Sequence, residues 1–135
     1  MRDGLFPLSA AQVNSWPRHL MQRMTEIAER TGGRYHITDL IDAVQAMNMQ
    51  AWGVLSEGAA KGLVLTEIIK YPRKKSLRIF GLAGEDFDAW HEMAVAELTT
   101  FATQHECAMI EAGGRPGWSR KLDWKVTHHY VERDI

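Results

Sequence analysis

The chain has 135 residues, a formal net charge of −1 and a charged fraction of 24%. This length suits one domain with one hydrophobic core, and the near-neutral charge provides no long-range field that would attract nucleic acid. The single cysteine, Cys107, excludes an internal disulfide, and no apolar run approaches the ~20 residues of a membrane-spanning helix. The first residues lack the apolar stretch of a signal peptide, so we expect no secretion by that route.

The first third of the chain predicts an arm followed by two helices. We interpret residues 1–14 as a loosely ordered N-terminal arm and residues 15–135 as one domain. Apolar residues then recur at helical spacing over 16–27, before the glycines at 32–33 end that helix. Thr38 is the predicted N-cap of a second, shorter helix.

The middle of the chain predicts three antiparallel strands followed by one long helix. The strand-like segments are residues 50–55, 63–69 and 76–81. Strict alternation in the third segment is expected to place Phe80 and Gly81 on opposite faces of the sheet. Residues 87–105 then have the apolar spacing of a long helix, and the acidic Glu85 and Asp86 at its start suit the helix dipole.

The last third predicts a strand over 108–112, a short helix or turn over 115–122, and a closing strand over 124–131. The chain as a whole therefore predicts an α+β fold. We expect a mixed, mostly antiparallel sheet with a long helix packed across it, two N-terminal helices, and a C-terminal strand–short helix–strand unit.

Several local sequences carry a family resemblance. They are Thr66-Glu67-Ile68-Ile69, Tyr71-Pro72-Arg73, Trp90, and Gly114-Arg115-Pro116-Gly117-Trp118 with Arg120. Together with the element order over residues 35–135, they resemble the GCN5-related N-acetyltransferase (GNAT) fold, and in particular small phage-encoded GNAT-like proteins. That group includes internal virion proteins of short-tailed phages. The resemblance implies a virion-associated or assembly component that binds other phage proteins without efficient catalysis, in the virion or the host cytoplasm, with no cofactor.

The same fold implies an alternative function, an acetyl-CoA-dependent N-acetyltransferase acting on a small-molecule or protein amine. In such enzymes a loop of pattern Gln/Arg-x-x-Gly-x-Gly/Ala holds the CoA pyrophosphate at the start of the central helix. Residues 78–83 match this pattern. The match makes four residues candidates for CoA binding: Arg78, Gly81, Ala83 and Gly84.

Two features of the sequence weigh against that loop. Arg78 lies inside an alternating strand pattern, and the carboxylates of Glu85, Asp86 and Asp88 would each repel a pyrophosphate by about 1 kcal/mol. We therefore favour a strand followed by an acid-capped helix. A second alignment places the anion loop at the basic residues 71–76, but it leaves the alternation over 77–84 unexplained.

Acetyl transfer also requires a base for the amine and often a tyrosine or water as the acid. Glu67 and Glu111 lie on predicted strands and are candidate bases, and Tyr130 is a candidate acid, although strand carboxylates are more often solvated or salt-bridged.

The glycine-rich joint at 113–117 is the most distinctive local sequence. Arg115, Trp118 and Arg120 are candidate ligand- or partner-binding residues there, against the simpler interpretation of a tight turn in which Arg115 pairs with Glu111. The histidines predict no metal site, because the adjacent His128 and His129 would point to opposite faces of a strand.

Overall fold

A computed structural model describes residues 2–113, 122–127 and 131–135. The strands are β1 (Gly4–Pro7), β2 (Gln50–Ser56), β3 (Ala59–Lys70), β4 (Lys75–Gly84) and β5 (Met109–Ala112). The helices are a 3₁₀ helix (Ala10–Ser15), α1 (Arg18–Glu29), α2 (Ile37–Gln45) and α3 (Phe87–Gln104). The predicted meander of three strands, the long helix and the strand after it are therefore confirmed.

The five strands form one sheet in the order β1-β2-β3-β4-β5. All neighbouring pairs are antiparallel except β4 and β5, which are parallel and joined by α3. This is the mixed, mostly antiparallel sheet that the sequence predicts.

Helices cover both faces of the sheet, and each face has its own apolar core. The α1/α2 face buries Leu20, Met24, Ile27, Leu40, Val44, Leu63, Leu65 and Ala83. The α3 face buries Val54, Val64, Leu77, Ile79, Trp90, Ala94, Leu98 and Ala102. The four α3 residues in that second set recur every four positions, so one stripe of the helix meets the sheet.

The N-terminal residues differ from the expected loose arm. Leu5 lies opposite Val54 in the β1–β2 ladder, and its N–H donates to the carboxylate of Glu97 on α3 at 2.8 Å. Val13, in the 3₁₀ helix, is fully buried in the α1/α2 core. This short segment carries enough apolar and hydrogen-bonding groups to be fixed against the sheet, although it shows no long periodic pattern.

The cap of α2 also differs from the prediction. The N-cap is His36, whose Nδ1 accepts a hydrogen bond from the N–H of Thr38, while the Asp39 carboxylate accepts one from the N–H of His36. This reciprocal pair is a capping box with histidine in the place usually taken by serine or threonine.

The predicted closing strand over 124–131 is wrong for the described residues of that range. Residues 124–127 and 131 belong to no strand: Trp124 packs against the α3-face core, and Val126 is 56% exposed. Trp124 and Val126 would lie on one face of a strand, but one packs on the core and the other is exposed, so the alternation does not define a buried face here. The predicted short helix falls almost entirely within 114–121, and residues 114–121 and 128–130 lie outside the described residues.

Within the described ranges, no helix combines the length and the apolar character needed to cross a membrane.

Candidate active site

The pairing of β4 with β5 ends in the middle of β4. Their parallel pairing runs from Ser76↔Met109 to Ile79↔Ala112 and then stops, while β4 continues to Gly84. The pairing of β4 with β3 shifts at the same place, because Leu65 lies opposite Gly81 and Thr66 opposite Ile79. Phe80 is thus an extra residue in β4, a β-bulge. Beyond Ile79, no strand among the described residues pairs with β4 on the β5 side, and we call this edge of β4 the opening.

Because of the bulge, Phe80 and Gly81 do not lie on opposite faces of the sheet, as the sequence predicts. Phe80 packs against the α1/α2 core, with its ring 4.8 Å from that of Tyr35 in an edge-to-face contact. A Cβ on Gly81 would lie 2.7 Å from Cγ2 of Ile27 on α1. Both residues therefore face α1, and glycine at 81 allows the helix to approach the strand closely.

Beyond the bulge, some backbone N–H and C=O groups of β4 point away from β3. The N–H of Glu85 donates to the carbonyl of Lys61, which fixes the hydrogen-bond phase of the antiparallel ladder with β3. Residues of such a ladder alternate between bonding to the partner and pointing away from it. Leu82 and Gly84 are then the residues whose N–H and C=O groups point away from β3. The Leu82 carbonyl accepts a hydrogen bond from Nη1 of Arg30 at 2.8 Å.

Four polar side chains meet on the sheet just before the opening. Arg78 Nη1 lies 3.3 Å from Oε1 of Glu67, and Arg78 Nε lies 3.7 Å from Oε1 of Glu111. The hydroxyl of Tyr71 donates to Glu111 Oε1 at 2.7 Å and accepts a hydrogen bond from Arg78 Nη2 at 3.2 Å. These residues come from β3, the turn after it, β4 and β5, so sheet register alone brings them together.

The cluster shifts the acid–base behaviour of two of its members. The hydrogen bond to Glu111 raises the pKa of Tyr71 above its ordinary 10.0, although the bond from Arg78 works in the opposite direction. Burial works to lower the pKa of Arg78, but the hydrogen bond to Tyr71 and the charges of Glu111 and Glu67 outweigh it and raise that pKa. At neutral pH the cluster therefore holds a protonated phenol and a guanidinium beside two carboxyl groups.

The junction between β4 and α3 is short and tightly packed. Only Glu85 and Asp86 separate the strand from the helix. A Cβ on Gly84 would lie 2.4 Å from the Lys61 carbonyl oxygen and 2.8 Å from Cα of Gly62. The indole N–H of Trp90 donates to the carbonyl of Glu85 at 2.8 Å, which ties the first turn of α3 back to the junction.

The start of α3 is acidic in space as well as in sequence. Glu57, Asp86 and Asp88 line an open depression at this end of the helix. Nζ of Lys61 lies 2.7 Å from Oδ2 of Asp86, and this hydrogen bond raises the pKa of Lys61. The helix dipole would favour an anion here, but the side chains that line the depression include three carboxylates. This acidic lining weighs against a pyrophosphate at the start of α3.

Several site residues predicted from the sequence can now be placed. Glu67 and Glu111 lie on neighbouring sides of Arg78 in one cluster, and Arg78 lies in a strand. Gly81, Ala83 and Gly84 also lie in that strand and pair with β3, which agrees with the strand favoured above. Asp86 holds the N-cap position of α3, but its side chain makes no capping hydrogen bond. The other candidates, Arg115, Trp118, Arg120 and Tyr130, lie outside the described residues.

Tyr71 is the member of the cluster that the sequence analysis missed as a candidate for chemistry. The period of two along β3 was the available signal, because it places residues 67, 69 and 71 on the same face. Its contact with Glu111 depends on the pairing order of three strands, which the sequence does not specify.

Comparison with solved structures identifies the class of fold. AAC(6')-Iy in complex with the bisubstrate analogue CoA-S-monomethyl-acetylneamine superposes with a TM-score of 0.68 at 12% identity, covering 100% of this chain and 99% of that one. An aminoglycoside acetyltransferase from an uncultured soil metagenomic sample gives a TM-score of 0.65 at 16% identity, covering 100% and 98%. A ribosomal-protein-alanine N-acetyltransferase from Brucella melitensis biovar Abortus 2308 gives 0.60 at 11%, covering 99% and 98%.

The chain therefore has the fold of the GNAT acetyltransferases, over essentially its whole length. At these identities the likeness establishes the fold alone. No protein-family model matches the chain, and no curated protein matches it in sequence.

Proposed function

We propose that this protein is an N-acetyltransferase that moves an acetyl group from a pantetheine thioester, of which acetyl-CoA is the common example, to an amine. The observation that carries the proposal is the end of the described β4–β5 pairing at Ile79, next to the Phe80 bulge, with the carboxylate of Glu111 one residue before the last paired residue of β5. The fold shared with GNAT acetyltransferases supports the same function.

A thioester supplies an activated acyl group and a thiolate leaving group. Transfer to an amine forms an N–C bond, breaks a C–S bond and moves one proton from nitrogen to sulfur, so a proton acceptor near the amine is required. We assign this role to Glu111. It lies on β5, at the edge of the opening, whereas Glu67 lies on β3 with β4 between it and the opening.

Arg78 and Tyr71 are positioning residues in this proposal. Each contacts Oε1 of Glu111, so together they fix where that carboxylate points. The Arg78 side chain is 36% exposed, so solvent screens its charge, and the geometric role matters more than the Coulombic one. Tyr130 remains the predicted acid for the leaving thiolate.

The test is thiol release from acetyl-CoA and S-acetyl-pantetheine with three amine classes: a linear polyamine, an aminoglycoside and a peptide with a free N-terminus. Glu111→Gln keeps the shape of the side chain and removes the proton acceptor, so we expect a loss of kcat of about 100-fold or more. Glu92→Gln, on the exposed surface of α3, is the matched control and should leave the rate unchanged. Equal rates for the wild type and Glu111→Gln would remove Glu111 from the mechanism.

A second candidate function is a virion-associated or assembly component that binds partners without efficient catalysis. The observation in its favour is the acidic, two-residue junction before α3, which lacks the phosphate-binding loop expected of a CoA enzyme. It predicts neither binding nor turnover of either thioester at millimolar concentration, and it predicts co-purification with phage particles.

A further inference from the structure

We infer that the turn between β3 and β4 is a docking site for an acidic peptide segment of a partner protein. The surface that carries this inference is the basic hairpin, which we define as Lys70, Arg73, Lys74 and Lys75. The inference goes beyond acetyl transfer and does not depend on it, because none of these four residues belongs to the cluster around Glu111.

The basic hairpin is built on a tight and anchored turn. The Tyr71 N–H donates to the Lys74 carbonyl at 2.9 Å, so only residues 72–73 form the loop. The Tyr71 hydroxyl donates to Glu111 at 2.7 Å, which ties the turn to β5. Because this backbone is already fixed, a partner that binds here orders only the long cationic side chains, and the entropic cost of association is lower.

The cations of the basic hairpin are accessible. The described pairing of β3 with β2 ends at Gln50↔Thr66, so the last four residues of β3 extend past it. Residues 70–74 are all exposed, and Lys75 is half-buried. A partner can therefore reach these side chains without displacing any described part of the fold.

The positive charge of the basic hairpin is not balanced within the fold. Lys70 and Lys75 lie directly opposite each other in the β3–β4 ladder, where like charges destabilise the sheet. None of the ion pairs between described residues includes any of the four cations, and the residues outside the described ranges contain no aspartate or glutamate. The stability of the fold gains nothing from this arrangement, whereas a bound run of carboxylates would be stabilised by it.

The charge of the rest of the chain favours a short acidic segment over a long polyanion. The chain has 16 Lys and Arg and 17 Asp and Glu, so removing the four hairpin cations leaves a net charge of −5. Exposed charges interact over about 8 Å at physiological salt. A nucleic acid or an anionic membrane extends further than this past the hairpin and meets the negative remainder, but a peptide with a few carboxylates does not.

The experiment measures the fluorescence anisotropy of a labelled peptide of six consecutive glutamates, titrated with the purified full chain at low ionic strength. The hairpin variant combines Lys70→Gln, Arg73→Gln, Lys74→Gln and Lys75→Gln. The control variant removes the same charge at exposed positions elsewhere and combines Arg2→Gln, Arg18→Gln, Lys125→Gln and Arg133→Gln. Both variants change the formal net charge from −1 to −5, so a difference between them reports the position of the charge.

We expect the hairpin variant to bind the peptide at least about tenfold more weakly than the wild type, because four exposed ion pairs each contribute modestly. The control variant should stay within about threefold of the wild type, since distant charges are screened. Equal losses in the two variants would overturn the inference, because overall charge would then attract the peptide. Absence of binding to the wild type at millimolar protein would also overturn it.

Two further ligands test the class of partner. An oligothymidylate with six phosphates matches the charge of the peptide, and vesicles containing phosphatidylserine present a planar anionic surface. Tighter binding of the oligonucleotide than of the peptide, or binding to vesicles that the peptide does not displace, would overturn the assignment of a protein partner. The assay contains no thioester, so failure of acetyl transfer does not affect its result.

Discussion

Gly84→Ala tests how firmly β4 is joined to α3. The new Cβ would lie 2.4 Å from the Lys61 carbonyl oxygen and 2.8 Å from Cα of Gly62. Both are backbone atoms of the neighbouring strand, so no side chain can rotate to relieve the contact. The strands must separate locally, which breaks the hydrogen bond from the Glu85 N–H to the same carbonyl.

The cost follows from two contributions. Overpacking against an immobile neighbour costs about 1–3 kcal/mol, and a lost ladder hydrogen bond costs about 0.5–1.5 kcal/mol. Alanine also lowers the entropy of the unfolded chain, which offsets about 0.4–1 kcal/mol. We therefore expect the free energy of unfolding to fall by about 2 kcal/mol or more.

Urea unfolding followed by tryptophan fluorescence measures this change, and Trp90 packs close to the site. Gly113→Ala is the matched control, since no atom of the described residues lies within 4 Å of the Cβ it would introduce. Its free energy of unfolding should stay near the wild-type value or rise slightly. The packing described for the junction would be refuted if the free energy of unfolding of Gly84→Ala lay within about 0.5 kcal/mol of the wild-type value, the usual range for surface substitutions. For this comparison, both proteins must show the same dependence of the free energy of unfolding on urea concentration.

Three further predictions concern single contacts. The hydrogen bond to Glu111 raises the pKa of Tyr71. The protonated Tyr71 hydroxyl therefore contributes its full stabilisation below pH 10.0, and this contribution is lost as pH rises through the raised pKa. The tyrosinate absorbance of Tyr71 is obtained by subtracting the absorbance of the Tyr71→Phe variant. In Glu111→Gln this absorbance should appear at lower pH than in the wild type, and an unchanged titration would contradict the hydrogen bond. Trp90→Phe should destabilise the fold by about 1–3 kcal/mol, because the Glu85 carbonyl loses its indole donor, and a denaturation midpoint equal to the wild type would count against that bond. His36→Ala should cost about 1 kcal/mol through loss of the α2 cap, and no loss of helicity or stability would assign the cap elsewhere.

The regular elements of the fold were predictable because their patterns are local. The period-two alternation over β4 up to Ile79 and the i, i+4 stripe of α3 follow directly from which side of an element is buried. The acids at 85 and 86 marked the start of α3 correctly, and the resemblance to GNAT proteins arose from the order of these elements.

The site was less predictable because it depends on register. Glu67 and Glu111 were candidates from the sequence, but their shared partner Arg78 and the contact with Tyr71 require the pairing order β3-β4-β5. The Phe80 bulge interrupts a clean alternation without any glycine–proline signal at that residue, and it directly follows the last described β4 residue that pairs with β5. The N-terminal strand was missed because four residues give too short a pattern to recognise.

The measurement that tests the central claim most directly is thiol release from S-acetyl-pantetheine in the presence of the amine panel, for the wild type and for Glu111→Gln. The account predicts amine-dependent release by the wild type and a loss of about 100-fold or more in the variant, with the far-ultraviolet circular dichroism of both proteins unchanged. No release by the wild type with any amine class, together with no binding of the thioester at millimolar concentration, would contradict it.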